Sequence, residues 1–238
     1  MGQKRDHQPY VAAIIPAAGM STRMRGLDKQ FEELQGIPVL ARTMLALSQS
    51  DWINELVVVA RREDVADVLG LAEAWKIPKL RSVVAGGRTR QQSVLRGLEA
   101  VSPQAGFVAI HDGARPLVSQ QVIARTVLDA LNYGAAAAAV PVVDTLKLAD
   151  EMGRISQTVD RSRLFAVQTP QVFSLESYLK AAREALNQER DYTDDCQMLE
   201  AAGLPIKLSE GDPRNLKITT PEDLAVAQAI VEQEEWAL

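Results

Sequence analysis

Five short runs of β-branched and small apolar residues recur along the chain: Val11–Ile15, Glu55–Ala60, Arg81–Ala85, Phe107–His111 and Ala136–Val142. Between them the apolar residues change period. Val39, Leu40, Thr43, Met44 and Leu47 share one helical face, and Val94, Leu95, Leu98 and Val101 share another. Asp64–Trp75 and Ser119–Tyr133 repeat the pattern. Strand and helix in strict alternation predict an α/β fold, a Rossmann-like, mostly parallel sheet with helices on both faces. Ligands of such sheets bind beyond the carboxyl ends of the strands, so function is sought in the loops there.

After Val143 the alternation breaks. "DTLKLADEMGRISQTVD" reads as two short strands around the polar turn "DEMGR", a hairpin leaving the main body. Helical spacing resumes over Leu175–Leu186 and Thr193–Ala202, while "LPIKLSEG" and "NLKIT" suggest further strands. Thr220 as N-cap, Pro221 at the first helical position and Glu222 with Asp223 in the first turn start a last helix. No internal repeat or low-complexity linker divides the chain, so one domain over 1–238 is expected, with an inserted arm over 144–168.

At 238 residues, 47% apolar, the chain can bury a substantial core, and its net charge of −5 argues against broad nucleic-acid binding. A local cluster of cations for a small anion remains compatible with that balance. Cys196 is the sole cysteine, which excludes an intramolecular disulfide and a Cys-rich metal site; two histidines, His7 and His111, make zinc a poor fit. The polar start "MGQKRDHQPY" lacks a signal-peptide core, and Asp6 breaks the myristoylation pattern. The longest apolar run, "YGAAAAAVPVV", is too short to span a bilayer. The expectation is a cytoplasmic protein with no membrane and no nucleic-acid partner.

Three loops carry the chemistry. In "PAAGMSTRMRGLDKQF" the small residues Ala17, Ala18 and Gly19 let backbone N–H groups approach a phosphate, and Arg23 and Lys29 add a fork and a point charge. The alternative is a surface turn with solvated cations. The spacing is neither GxxxxGK[ST] nor GxGxxG. "AGGRTRQQSV" again sets glycines, cations and a hydroxyl (Gly87, Arg88, Arg90, Ser93) just past a strand. Two such loops point to one extended anion. In "AIHDGARP", Asp112 can bind a divalent ion, orient a hydroxyl, or cap the turn and pair with Arg115. Asp160, Arg161, Thr169, Thr193 and Asp194 are later candidates; Lys217, flanked by Leu216 and Ile218, would face solvent on general grounds. Cys196 reads as core filler, His111 as a satisfied sheet-end residue, and Met20 and Met24 as packing.

In order and spacing, "PAAGMSTRM", "KQF", "GGRTRQQSV", "HDGARP", "PVVDTLK", "VDR", "QTPQVF", "TDD" and "NLKIT" with "PEDL" resemble the motif series of the 2-C-methyl-D-erythritol 4-phosphate cytidylyltransferases, over residues 11–228. The first motif alone is shared with sugar-nucleotide pyrophosphorylases; the series also marks ribitol- and glycerol-type cytidylyltransferases. The resemblance implies a nucleotidyltransferase-type fold and transfer of CMP from CTP to a polyol phosphate: methylerythritol phosphate or, alternatively, ribitol 5-phosphate. It implies catalytic roles for Arg23, Lys29 and Lys217, and CTP contacts by Ala17, Ala18, Gly19, Gly87, Arg90, Ser93 and Asp112. The acceptor falls to Arg115, Thr145, Arg161, Thr169 and Thr193. It further implies Mg2+ carried mainly on CTP phosphates, with no dedicated protein metal site, and a homodimer through the 144–168 arm in which Thr145 and Arg161 serve the partner's site. Two positions depart from relatives: Asp28 stands where many carry proline, and Arg88 where some carry an acid.

Overall fold

The structure, a computed structural model, describes residues 8–19, 24 and 27–236. In chain order its elements are β1 (Val11–Pro16), a tight hairpin β2 (Glu33–Leu34) and β3 (Ile37–Pro38), α1 (Val39–Ser48), β4 (Glu55–Ala60), α2 (Val65–Ala74), β5 (Leu80–Ala85), α3 (Arg90–Glu99), β6 (Phe107–Ile110) and α4 (Gln120–Tyr133). The second half adds β7 (Ala135–Pro141), the arm strands β8 (Lys147–Ala149) and β9 (Ile155–Thr158), β10 (Phe165–Ser174), α5 (Leu175–Asn187), α6 (Asp195–Ala201), β11 (Lys207–Glu210) and α7 (Pro221–Trp236).

Seven strands form one sheet in the order β11-β7-β10-β6-β1-β4-β5, and only β10 runs against its neighbours. Successive strand residues point to opposite faces, and the core divides accordingly. Val11, Ala13, Ile15, Leu56 and Val58 meet α1, α2 and α4 on one face; Ile14, Val59, Val108 and Phe173 meet α3, α5 and α6 on the other. A third cluster seats α7 against Met24, Leu34 and Val39. β7 is mostly alanine, the best helix former, yet extended. Gly134 at φ +85° ends α4, and ladders to β10 and β11 then fix the strand. Tertiary pairing overrides propensity there.

Two expectations need correction. "NLKIT" makes no strand: it lies past the carboxyl edge, where no ladder is offered, and hangs instead on the loop after β6 through Ile218 N–H to the Ala114 carbonyl (2.9 Å). Conversely, "FAVQTPQVFS", which periodicity did not single out because Pro170 interrupts it, is the ten-residue β10. Its register against β7 slips between Val167 and Gln171, a bulge that turns Gln168 and Thr169 out of the ladder. The hairpin expected after Val143 is present as β8 and β9, closed by Asp150 accepting from the N–H groups of Met152 and Arg154.

Because β1, β5 and β6 are parallel, their following loops (17–19, 86–89 and 111–115) gather at one edge of the sheet. The chain after β11 and the bulge of β10 reach the same edge.

Candidate active site

That edge holds a cleft of two lobes. The larger, of about 300 Å3, is lined by Ala18, Gly19, Lys29, Gly87, Arg88 and Ser93, among others. The smaller, of about 120 Å3, is lined by Arg115, Gln168, Thr169, Gln171, Thr193 and Asp194, among others. Arg90, Asp112 and Lys217 belong to both, and so form the wall between them.

The larger lobe depends on close backbone approach. A Cβ on Gly87 would lie 2.4 Å from Gln92 Cβ, and one on Gly86 2.8 Å from Ala18 Cβ. Ser93 braces the turn, its Oγ donating to the Thr89 carbonyl (2.9 Å) and accepting from Gly87 N–H (3.1 Å). Thr89 caps α3, accepting from Gln92 N–H, so the helix starts at Arg90 with its positive end at the cleft.

Asp112 is the charge centre. Lys217 Nζ lies 2.8 Å from its Oδ2, Arg115 Nε 3.7 Å from the same oxygen, and Arg90 Nη2 3.9 Å from Oδ1. Burial pushes this carboxyl up, but Lys217, Arg90 and Arg115 outweigh it and hold it at about 2. The capping-and-pairing possibility for Asp112 is therefore met in part by Arg115, while the closer partner is Lys217, which enters the cleft rather than pointing away from the molecule. Behind this centre His111 is fully buried and pushed down by burial to about 4, hence neutral. Its Nε2 contacts the Arg115 carbonyl (3.1 Å), which only accepts, so Nε2 carries the proton. Nδ1 then accepts from Thr169 Oγ1 (3.2 Å), and Thr169 accepts in turn from Asp112 N–H (3.1 Å). Both ring nitrogens are engaged.

Of the residues singled out from sequence, Ala18, Gly19, Lys29, Gly87, Arg90, Ser93, Asp112, Arg115, Thr169, Thr193 and Lys217 converge on this cleft. Ala17 lies beneath it, buried and bonded through N–H to the Val59 carbonyl (2.7 Å). Arg23 and Met20 fall outside the described residues. Thr145 and Arg161 stand exposed on the arm and line neither lobe; Arg161 donates to the Val143 carbonyl. Asp28, beside Lys29, is paired with Arg61 at the end of β4 and accepts from Gln30 N–H, so its charge is met from the β4 side.

Sequence reasoning missed three contributors. Asp195, the third residue of "TDD", is buried and forms an ion pair with Arg90, its Oδ2 2.5 Å from Nη1. Tyr178 donates its hydroxyl to Asp195 (2.6 Å). Asn215 is buried and its side-chain amide donates to the Thr169 carbonyl (2.8 Å), while its backbone carbonyl accepts from Arg115 Nη1 (2.6 Å). Only three-dimensional proximity reveals these, since the partners lie far apart in the chain, 17 positions for Tyr178 and Asp195 and 100 for Arg115 and Asn215.

The cleft is suited to an extended anion, with Lys29, Arg88, Arg90, Arg115 and Lys217 set against Asp112 and Asp194. Among the described residues no activated nucleophile is arranged there: Ser93 is spent on its turn, and Cys196 is buried, its thiol pushed up by burial. Among the described residues no group of three or more His, Cys, Asp or Glu is placed to hold a metal ion. No described helix is long and apolar enough to cross a membrane.

Fold and cleft together define an α/β protein of the nucleotidyltransferase type. The family model described as 2-C-methyl-D-erythritol 4-phosphate cytidylyltransferase matches residues 11–233. Relatives of that same description are 44% identical in Halalkalibacterium halodurans, over 94% of this chain and 98% of the relative. In Caldanaerobacter subterraneus subsp. tengcongensis the figures are 45%, 92% and 97%. Among solved structures, the 4-diphosphocytidyl-2C-methyl-D-erythritol synthase of Anaerococcus prevotii superposes with a TM-score of 0.84 at 30% identity, covering 94% of this chain and 97% of that one. The cytidylyltransferase of Thermus thermophilus superposes at 0.76 with 34% identity, covering 94% and 99%. The chain belongs to the 2-C-methyl-D-erythritol 4-phosphate cytidylyltransferase family.

Proposed function

We propose that the larger lobe holds CTP and the smaller lobe 2-C-methyl-D-erythritol 4-phosphate, and that the chain joins them in a step of isoprenoid precursor synthesis in the cytoplasm. A phosphate oxygen of the acceptor attacks the α-phosphorus of CTP. The new P–O bond forms as the bridging bond to the β-phosphate breaks, and pyrophosphate leaves with the electron pair. The observation that carries this reading is the wall shared by the two lobes, Arg90, Asp112 and Lys217, where two anions would meet.

Transfer of this kind asks for positioning and charge stabilisation rather than a covalent nucleophile. Ala18 and Gly19 follow the nucleotide with backbone groups, over Ala17, and Lys29 with Arg23 holds the triphosphate. Gly87 and Ser93 shape the base and ribose end. Lys217 meets the charge that builds at the α-phosphate, steered by Asp112. Arg115, Thr169 and Thr193 face the acceptor phosphate. Mg2+ would enter with CTP and keep most of its waters, with Asp112 in the wall between the lobes as the carboxylate able to hold it, and would supply neutralisation of phosphate charge.

Arg161 and Thr145 complete the acceptor site of a second copy. The arm offers Val143, Leu148, Met152 and Ile155 to solvent, an apolar surface that a homodimer would cover.

The test is pyrophosphate release from CTP and Mg2+ with 2-C-methyl-D-erythritol 4-phosphate or ribitol 5-phosphate offered separately. Release with the first acceptor, lost in Lys29→Ala, is expected. Release with ribitol 5-phosphate alone would keep the chemistry and refute the acceptor. Binding of CTP without turnover of either would make the chain a nucleotide sensor.

A further inference from the structure

The start of α3 and the segment before α6 are stitched together beside the cleft. Thr89 Oγ1 donates to Asp191 (2.9 Å), Gln91 Nε2 donates to the Arg190 carbonyl (3.3 Å), and Tyr192 N–H donates to Gln91 Oε1 (2.8 Å). The first segment borders the larger lobe; the second carries Thr193 and Asp194 into the smaller. At the end of this seam Arg90 meets Asp195. The Asp195 side chain is 3% exposed, and its other oxygen takes the hydroxyl of fully buried Tyr178. A carboxylate this buried is costly unless paired. Without Asp195, Arg90 has an alternative partner already 3.9 Å away, namely Asp112, the group that orients Lys217.

We propose that Asp195 is a positioning residue for the transfer reaction: with Tyr178 it holds the Arg90 guanidinium in the wall between the two lobes and keeps it from collapsing onto Asp112. The inference rests on the assignment of CTP to the larger lobe. Asp195 touches neither substrate; it acts through Arg90. A second role follows from its place on the seam, because the same contact fixes the nucleotide side of the wall to the segment that bears Thr193.

A double-mutant cycle on the full chain tests this, with Asp195→Asn, Arg90→Gln and the pair together. The readouts are CTP affinity by calorimetry with Mg2+ and pyrophosphate release with 2-C-methyl-D-erythritol 4-phosphate. Asp195→Asn alone should weaken CTP binding about fivefold and turnover about tenfold, and in the Arg90→Gln background it should add less than about twofold. A merely structural Asp195 would impose the same penalty in both backgrounds, and that result overturns the proposal. So does a folded Asp195→Asn protein with both readouts at wild-type values. Should Asp195→Asn not fold, Tyr178→Phe keeps the charge pair and removes one hydrogen bond, with an expected loss of about threefold on both readouts; wild-type behaviour there also refutes it. Wild-type turnover is measured first. A wild-type chain that binds CTP but does not use the acceptor defeats the functional reading, and the cycle is then decided on CTP affinity alone.

Discussion

Lys217 illustrates how a residue's neighbours set its role. Its side chain is 40% exposed, as a surface lysine would be, yet its ammonium sits against Asp112 in the wall between the lobes. Lys217→Ala should therefore lower kcat by roughly a hundredfold or more, the size of effect seen when one charge-stabilising group is lost, with little change in thermal stability. Steady-state kinetics and a melting curve check both parts. His111 gives a pH prediction. Its folded-state value of about 4 lies below the ordinary 6.5, so the unfolded chain binds the extra proton. Stability is then complete above about pH 6.5 and falls as pH drops toward 4, by up to about 3 kcal/mol from this group. Urea unfolding across that window should flatten in His111→Gln. Of these two residues the sequence argued well for His111, a lone histidine at a strand end. Lys217 was legible only through resemblance, because nothing in "NLKIT" itself says which way the chain turns.

Among the elements, β1, β4 and β6 are legible in the sequence because each carries a near-continuous apolar run with turn residues after it, whereas β5 and β11 mix polar residues into theirs. β10 escaped notice since its middle, Gln168-Thr169-Pro170, abandons alternation where the strand bulges; the polar pair that hides the strand also furnishes the smaller lobe. The turn at Asp28 and Lys29 leans on another element. Arg61 at the end of β4 joins Asp28 to Asp64 at the start of α2, and so anchors the turn that bears Lys29. Arg61→Ala should raise the KM for CTP severalfold and leave Asp28 to compete for Lys29. Asp28→Asn added to it should restore part of the loss, as coupled neighbours do, which kinetics on the three variants will read. Gly87→Ala brings a methyl against Gln92 Cβ and should weaken CTP binding about tenfold or more with the fold intact, measured by calorimetry.

For the whole molecule the question is whether one chain suffices. Both residues expected to reach the acceptor from the arm lie outside the cleft of their own chain. Replacing Leu146–Thr158 with a short linker should give an inactive monomer, read by light scattering and turnover. A fully active monomer would remove the arm from the mechanism. Mixing offers a stricter test. Lys29→Ala and Arg161→Ala are each expected to be inactive alone. Refolded together they should recover about a quarter of wild-type activity, because half the dimers are mixed and each mixed dimer has one intact site. No recovery would place Arg161 at its own chain's site.

The course of β10 has a consequence for how such an enzyme can vary. The strand begins as one side of the ribbon it makes with the end of β7 and finishes in the middle of the sheet, so arm and smaller lobe are cut from a single piece. Residues added or lost at the tip, around Asp150–Arg154, change only the length of a handle. A single residue deleted from Phe165–Val167 would reverse inside and outside for everything upstream of the bulge or drag Thr169 from its place. Insertions at the tip are therefore expected to leave the smaller lobe undisturbed, while a one-residue change at the root of the arm is expected to disturb it.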